Sequence, residues 1–268
     1  FQGESKELTI DLLSSVPNDF KYSSYRDFES DTIHYWFKPA LEVDSLFFVA
    51  SNKKKIDTLI TRMRDLYIDS LLIRPINVGN LTLKDTMKIK ANTPLIALDP
   101  EKISVIDRDS ITIPFNGIID AEFNIVAINF NKTEKQNYTI RLLPGAFTDF
   151  FENTNDTLNY RVSTKELSDY GTITLNLNKV EDVPIIVQLV DERYRVISEE
   201  YLLSNKPVFF DFINKGNYYI RLIFDENENK KWDSGNYLKS LQPEKVIYYP
   251  SLLEVRSNWS LNETFNLD

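Results

Sequence analysis

The sequence lacks cysteine entirely and contains one histidine, His34, and seven glycines among its 268 residues. Without cysteine there are no disulfides, thiolate metal sites or cysteine nucleophiles. A single histidine excludes metal centres built from clustered histidines, such as the H-E-x-x-H motif. The few glycines form neither the G-x-S-x-G elbow of hydrolases nor a phosphate-binding glycine loop. Most common catalytic chemistries are therefore excluded.

Positive charge and long apolar runs are also scarce. The net charge is -9 and the isoelectric point is about 4.9, which disfavours nucleic acid as a partner because phosphates require a basic face. No run of about 18 apolar residues occurs, so the sequence predicts no transmembrane helix. Hydrophobic residues still make up 42% of the chain, enough to bury real cores.

The pattern that is present is an alternation of apolar and polar residues. This period of two indicates strands with one buried and one solvated face. Tyrosine (14) and phenylalanine (17) are abundant, which is typical of strands. We therefore predict an all-β fold of tandem Ig-like or prealbumin-like antiparallel β-sandwiches. The alternating runs are Leu8–Leu12, Ile33–Phe37, Ile111–Phe115, Ile173–Leu177, Ile185–Leu189 and Tyr218–Phe224.

Turn-forming residues divide the chain into three predicted sandwiches, because sandwiches of about 100 residues are typical. Boundaries near Gly79-Asn80 and Ser168–Gly171 give domains at residues 4–79, 80–168 and 169–268. One helical turn is predicted at Pro144–Glu152, where three phenylalanines recur at spacings of three and four residues.

The stretch D-E-N-E-N-K-K-W-D, residues 225–233, predicts a calcium (Ca2+) site. Side-chain oxygens recur at positions 1, 3, 5 and 9 of a loop, with a backbone carbonyl available at position 7, as in calcium-binding loops. Two departures are Lys230 at position 6, where glycine is usual, and Asn236 at position 12, where a carboxylate is usual. A polar hairpin tip that caps its own backbone is the alternative. The predicted ligands are Asp225, Asn227, Asn229, Lys231 and Asp233.

Other candidate functional residues are less specific. His34 lies within an alternating run and is interpreted as an ordinary strand residue. The 40 acidic residues could include the two facing carboxylates of a glycosidase, although the sequence does not show which pairs face each other. Aromatic residues could form a sugar-stacking platform, but core or inter-domain packing is the favoured interpretation. The aromatic candidates are Trp36, Trp232, Trp259, Tyr218-Tyr219 and Tyr248-Tyr249.

Several stretches carry a family resemblance. Residues 138–165, YTIRLLPGAFTDFFENTNDTLNYRVSTK, resemble a bacterial Ig-like domain of the SbsA type, and residues 93–115 resemble the first half of the same domain. Residues 224–250 and 255–267 resemble the end of Ig-like envelope lipoproteins of Bacteroidetes-type bacteria. The last domain resembles a prealbumin-like sandwich, in which D-x-N-x-N-x-x-x-D loops are frequent.

The resemblance implies an exported outer-membrane lipoprotein without enzymatic activity, held by an acylated cysteine upstream. Phe1-Gln2-Gly3 matches the end of a common tag-cleavage site, so we expect the natural N-terminus to lie further upstream. We predict a non-catalytic structural or protein-interaction module whose partner is another envelope protein or a glycan. A glycan-binding protein of a nutrient-uptake system is the alternative, and a glycosidase is a third class.

Overall fold

A computed structural model describes residues 8–27, 30, 32–52, 55–63, 70–178, 183–235 and 240–267. Strands account for 55% of the structure and helix for 2%, so the predicted all-β class is confirmed. Among the described residues, the helical part consists of the short 3-10 turns Pro100–Lys102 and Leu167–Asp169. Within the described residues, no helix is long and apolar enough to cross a membrane. Phe1-Gln2-Gly3 and Asn236, both discussed above, lie outside the described residues.

The chain forms two compact units, Phe1–Thr164 and Lys165–Asp268. The described strands of the first unit form two four-stranded sheets, a three-stranded sheet and two strand pairs. They are β1 (Thr9–Leu12), β2 (Lys21–Arg26), β3 (Ile33–Lys38), β4 (Ser45–Asn52), β5 (Lys55–Arg62), β6 (Ile73–Pro75), β7 (Gly79–Asn80), β8 (Met87–Ala91), β9 (Leu95–Leu98), β10 (Ile103–Asp107), β11 (Phe115–Asp120), β12 (Ile125–Phe130), β13 (Asn137–Leu142), β14 (Phe147–Asp149) and β15 (Leu158–Ser163).

The two four-stranded sheets of the first unit, β10-β13-β15-β7 and β11-β12-β8-β6, form a sandwich. Their inward residues make one hydrophobic core that includes Ile89, Val105, Val126 and Ile140, each with no exposed surface. Alternation along each strand delivers these residues to the core, as the sequence pattern predicts. The three-stranded sheet β1-β4-β5 and the pair β2-β3 precede the sandwich along the chain.

The predicted boundary at Gly79-Asn80 falls inside a region of paired strands. β6 pairs with β8 in an antiparallel manner, and β7 pairs with β15 in a parallel manner. Residues 73–80 therefore contribute strands to the sandwich that follows them. The division into three domains stays a prediction.

The second unit contains a three-stranded sheet, β19-β16-β23, and a five-stranded sheet, β18-β17-β20-β21 with β22 also paired to β20. Inward residues of both sheets share one core, so this unit is also a sandwich. Its strands are β16 (Tyr170–Asn178), β17 (Ile185–Asp191), β18 (Val196–Leu202), β19 (Val208–Asn214), β20 (Gly216–Phe224), β21 (Val246–Tyr248), β22 (Leu253–Val255) and β23 (Ser260–Asn266).

The helical turn predicted at Pro144–Glu152 is wrong. Phe147 begins β14, which pairs with β9, and Phe147 and Phe150 are buried. The buried carboxylate of Asp149 accepts hydrogen bonds from the backbone amides of Phe151 (2.9 Å) and Asn153 (2.8 Å). Such side-chain to backbone bonds offer the chain an alternative to helix, and here they fold it into a tight turn.

Replacement of a buried phenylalanine tests the core assigned to the sandwich of the second unit. Phe210 in β19 is 1% exposed, whereas its neighbour Phe209 is 59% exposed. We expect Phe210→Ala to lower the free energy of unfolding by about 3–5 kcal/mol because it removes buried apolar area and leaves a cavity. Denaturant unfolding followed by circular dichroism measures this change. Phe209→Ala is the matched control, and equal losses for the two variants would contradict the alternation assigned to β19.

Candidate functional site

The loop that follows β20 begins with a buried carboxylate. Asp225 has no exposed surface. Its Oδ1 accepts a hydrogen bond from the amide of Asn229 (3.0 Å), and its Oδ2 accepts one from the amide of Lys230 (2.8 Å). A buried carboxylate requires such partners, and here they curl the loop around the aspartate.

The next predicted ligands converge on Asp233. The side-chain amides of Asn227 and Asn229 both donate to Asp233 Oδ2, the latter at 2.5 Å. The remaining oxygens of the two asparagines accept backbone amides, from Asn229 (3.0 Å) and from Lys231 (2.8 Å) respectively. The structure thus brings four predicted side chains together. Lys231 joins them through its backbone amide, whereas the predicted ligand was its backbone carbonyl.

Lys230, the first departure from a calcium-binding loop, adopts the backbone conformation that the usual glycine would provide. Its φ is 63°, in the left-handed region, and the φ of Glu228 is 58°. Glycine at position 6 allows a sharp turn in calcium-binding loops, and Lys230 makes a left-handed turn at the same position. The side chain of Lys230 lies over the ring of Tyr201, with Nζ 5.2 Å from the ring centroid.

Glu244 is a member of the site that sequence reasoning missed. Its Oε1 accepts a hydrogen bond from the amide of Glu226 (3.1 Å), and its Oε2 accepts one from the amide of Asp233 (2.9 Å). The amide of Glu244 in turn donates to the carbonyl of Asp233 (3.1 Å). Glu244 is eleven residues beyond Asp233, outside any loop motif, and only the fold places it against both ends of the loop.

The carboxylates shift the acidity of neighbouring groups. Burial, together with the negative charges of Asp225 and Asp233, raises the pKa of Glu244 above its ordinary value. Desolvation and the nearby carboxylates of Asp225, Glu228 and Glu244 raise the pKa of Tyr201 to about 12. The site is therefore a region of concentrated negative charge, which a cation would relieve.

Carboxylate and amide oxygens are the ligands that calcium prefers. In the part of the chain that the structure describes, however, no group of three or more Asp, Glu or His side chains is arranged to hold a metal ion. A bound ion would have to displace the asparagine amides from Asp233. The calcium site therefore stays a prediction.

The aromatic candidates divide into packed and exposed residues. Tyr218 is buried, and its hydroxyl donates to the carbonyl of Asn214 (2.8 Å). The ring of Trp36 packs edge-on against Phe151, with centroids 5.9 Å apart. His34 stacks on Tyr25 in the β2-β3 pair, as expected for an ordinary strand residue. These residues belong to the packing of the fold.

Both remaining tryptophans are about half exposed. Trp232 is 49% exposed, and its Nε1 donates to the carbonyl of Glu244 (3.3 Å). It belongs to the loop formed by residues 225–233, which we call the acidic loop. Trp259 is 51% exposed, and the guanidinium of Arg256 lies 5.4 Å from its ring centroid. The two tryptophans therefore have different immediate neighbours.

The other tyrosines line a shallow groove of about 480 Å³ on the second unit. Tyr219, Tyr248 and Tyr249, all candidates from the sequence, are joined there by Pro250 and Tyr194. Tyr194 was missed because it lies in the turn between β17 and β18, outside any alternating run. We call these five residues the tyrosine groove.

No family model and no curated protein matches the sequence. Similar solved structures include native alpha-2-macroglobulin from Escherichia coli, domains MG0-NIE-MG1, at 10% identity over 66% of this chain and 71% of that chain, with a TM-score of 0.33. The major pilin subunit of Bacillus cereus has 11% identity over 91% and 93%, with a TM-score of 0.25. SGBP-B of Bacteroides ovatus, in complex with a mixed-linkage heptasaccharide, has 10% identity over 97% and 61%, with a TM-score of 0.24. TM-scores this low support no inference about function.

The raised pKa of Glu244 predicts a pH dependence of stability. The folded chain binds the Glu244 proton more tightly than the unfolded chain, whose glutamate titrates near 4.5. Below that pH the resulting stabilisation is fully present, and it is lost as pH rises through the raised pKa. In the presence of a chelator, we expect the melting temperature of the wild type to fall more steeply above pH 4.5 than that of Glu244→Gln. Parallel pH profiles would contradict the assignment.

Proposed function

We propose that the chain is a non-catalytic structural and protein-interaction module of an exported cell-envelope lipoprotein. The observation that carries this proposal is an exposed apolar face on the three-stranded sheet of the first unit. We name it the apolar sheet face and define it by Leu13, Phe47, Ile56 and Ile60, which are 57%, 43%, 77% and 64% exposed. Contiguous exposed apolar patches of this kind mark interaction surfaces.

Strand register places these side chains on one side of the sheet. Phe47 in β4 is directly opposite Ile60 in β5, and Ile56 is opposite Ser51, two pairs further along the same face. The amide of Leu13 donates to the carbonyl of Phe47 (2.8 Å), which brings Leu13 next to the same pair. The neighbouring residues Leu46 and Phe48 point the other way and are buried. The other side of the sheet is therefore buried along β4, whereas Leu59 of β5, on that other side, is 42% exposed.

The surroundings of the apolar sheet face favour a different protein as its occupant. Arg62 follows Ile60 on the same side of β5 and gives one end of the face a polar edge, as in protein–protein interfaces, whereas Thr58 lies between Ile56 and Ile60. A second copy of the chain would bring together two molecules that each carry a net charge of -9, which disfavours self-association. We infer that the partner is an envelope protein that presents a complementary apolar surface.

Contacts in the acidic loop support a non-catalytic role. A buried carboxyl with a raised pKa beside a second carboxyl can act as a general acid, as in glycosidases. Both oxygens of Glu244 are instead engaged by the backbone amides of Glu226 and Asp233. Glu244 therefore fastens the loop, and its oxygens are not presented to a substrate.

We further propose that the acidic loop binds calcium in the exported protein. Extracellular calcium-binding modules have dissociation constants of about 10⁻⁴–10⁻³ M, matched to the calcium outside the cell. Oxygens of Asp225, Asn227, Asn229 and Asp233 would provide ligands once the asparagine amides turn away from Asp233. The role of the ion would be to rigidify the end of β20.

A photo-crosslinking experiment tests the interaction surface. A photoreactive residue at position 60, in the full-length protein in its own envelope, should crosslink to one partner protein. A photoreactive residue at position 118 is the matched control, because Ile118 is also an exposed isoleucine, 57% exposed, in a strand of the same unit. The identified partner, once purified, should lose about tenfold or more in affinity for Ile60→Glu but not for Ile118→Glu.

Two outcomes contradict the interaction proposal. Crosslinking only to a second copy of the chain would make the face a self-association surface. Equal crosslinking or equal loss of affinity at positions 60 and 118 would show that the apolar sheet face has no special role.

Calorimetric titration with calcium tests the metal site. We expect heat of binding with the wild type and a higher melting temperature in calcium than in chelator, because a ligand specific for the folded state stabilises it. Asp233→Asn should abolish both effects, since it removes a charged ligand. Glu200→Gln, which removes an exposed carboxylate from β18 of the same unit, should leave both unchanged. A wild type without heat or melting shift would show that the loop is only a polar hairpin tip.

A further inference from the structure

We propose that the tyrosine groove is a binding site for a neutral glycan, with pyranose rings stacked on Tyr194, Tyr219 and Tyr248. This surface belongs to the second unit, whereas the apolar sheet face belongs to the first. The two proposals therefore depend on different residues and can fail separately.

The rings of the groove form an open aromatic surface. Tyr194 and Tyr219 are nearly parallel, with an interplanar angle of 13° and centroids 5.8 Å apart. Tyr248 stands edge-on to Tyr194 at 84° and 6.1 Å, so the rings offer both a floor and a wall. Tyr194 is 57% exposed and Tyr248 is 43% exposed. About 480 Å³ of space lies over these rings, and the groove is open to solvent.

The three rings are held in place before any ligand arrives. Tyr219 belongs to β20, and Tyr248 in β21 is directly opposite Arg221 of β20. Tyr194 sits in a tight turn, where its amide donates to the carbonyl of Asp191 (2.8 Å). The carboxylate of Asp191 accepts the amides of Arg193 and Arg195, both at 2.9 Å, and fixes the same turn. Preorganised rings bind without a large loss of conformational entropy.

A row of planar polar side chains lies next to the rings. Glu199, Gln188 and Arg221 occupy paired positions on β18, β17 and β20, and Tyr248 continues the row on β21. Arg221 Nε donates to Gln188 Oε1 (2.7 Å), and Gln188 Nε2 donates to Glu199 Oε2 (2.6 Å). This network holds the three side chains in a row across the sheet. Gln188 is buried and both of its polar groups are engaged within the row, so Arg221 would provide the donors and the exposed Glu199 the acceptors for ligand hydroxyls.

The chemistry of the groove favours a neutral glycan. The face of a tyrosine ring carries a negative quadrupole and attracts the weakly positive C–H groups of a pyranose. The groove residues are all uncharged at neutral pH, and the neighbouring Arg195 is neutralised by Asp191, with Nη2 2.6 Å from Oδ2.

A proline-rich peptide is a weaker fit to the same surface. Such peptides also dock on aromatic grooves, but their backbone presents carbonyl acceptors and few donors. The carboxylate of Glu199 at the end of the polar row has no use for another acceptor, whereas it can accept a sugar hydroxyl. The combination of stacked rings with mixed donors and acceptors therefore selects the glycan.

Native affinity electrophoresis tests the proposal with defined probes. The gels contain β-glucan, starch, galactomannan or arabinoxylan as neutral polymers, and polygalacturonate or polyproline as the contrasting ligands. At least one neutral polymer should retard the wild type. The double variant Tyr194→Ala/Tyr248→Ala should lose about tenfold or more in affinity for that polymer, because aromatic anchors dominate binding energy.

Tyr22→Ala is the matched control. Tyr22 is also 57% exposed and stacks on another tyrosine, Tyr35, at 5.0 Å and 10°, but it belongs to the first unit. Melting curves establish that each variant is folded. Retardation that survives in the double variant, or that falls equally in Tyr22→Ala, would overturn the site. Retardation by no neutral polymer, or only by polygalacturonate or polyproline, would overturn the choice of ligand.

Discussion

The alternation of side chains along β20 is the constraint on which the second unit depends. Even-numbered residues from Tyr218 to Phe224 point into the core, whereas Tyr219 and Arg221 lie on the outer face. Pairing with β17 over seven residues fixes this register, since a slip of one residue would exchange the two faces. The same strand ends at Phe224, immediately before Asp225, so one register places the core, the tyrosines and the acidic loop.

Aspartate side chains stabilise left-handed turns at positions where many proteins have glycine. With seven glycines, several turns are left-handed at other residues, including Glu152, Tyr194 and Lys230. In these three turns, Asp149, Asp191 and Asp225 each accept at least two backbone amides. In each turn, backbone amides leave the hydrogen-bond pattern of the sheet, and the carboxylate accepts their hydrogen bonds. These bonds offset the cost of the left-handed φ. Part of the negative charge is therefore structural.

The sequence predicted strands well where only the local period mattered. The alternating runs at Ile173–Leu177 and Tyr218–Phe224 lie in strands, because burial on one face leaves a direct trace in the sequence. The run at Ile33–Phe37 also lies in a strand, although all of its residues are half-buried, and the run at Ile111–Phe115 reaches a strand only at Phe115. The residues of the acidic loop could be identified because their spacing is local. The phenylalanine spacing at 147–151 wrongly predicted a helical turn, because the side chain of Asp149 accepts the backbone amides that a helix would use.

Contacts between residues that are distant in the sequence cannot be predicted from local spacing. Glu244 meets Asp225 and Asp233 only because β20 and β21 are neighbours. Tyr194 meets Tyr219 only because the turn after β17 folds over the outer face of β20. Both belong to pairs far apart in sequence, and single-sequence periodicity carries no information about such pairs.

The position of the two candidate sites of the second unit on one strand bears on how they can influence each other. Tyr219 of β20 and Asp225, the residue after the strand, are six residues apart, about 20 Å at the rise of an extended chain. A ligand couples two sites only if it changes an equilibrium that both share. The pairing of β20 with β17 and β21 leaves the strand little freedom to shift between them. A cation in the acidic loop would therefore order the loop and the end of the strand, while the tyrosines keep the geometry that the ladder already imposes.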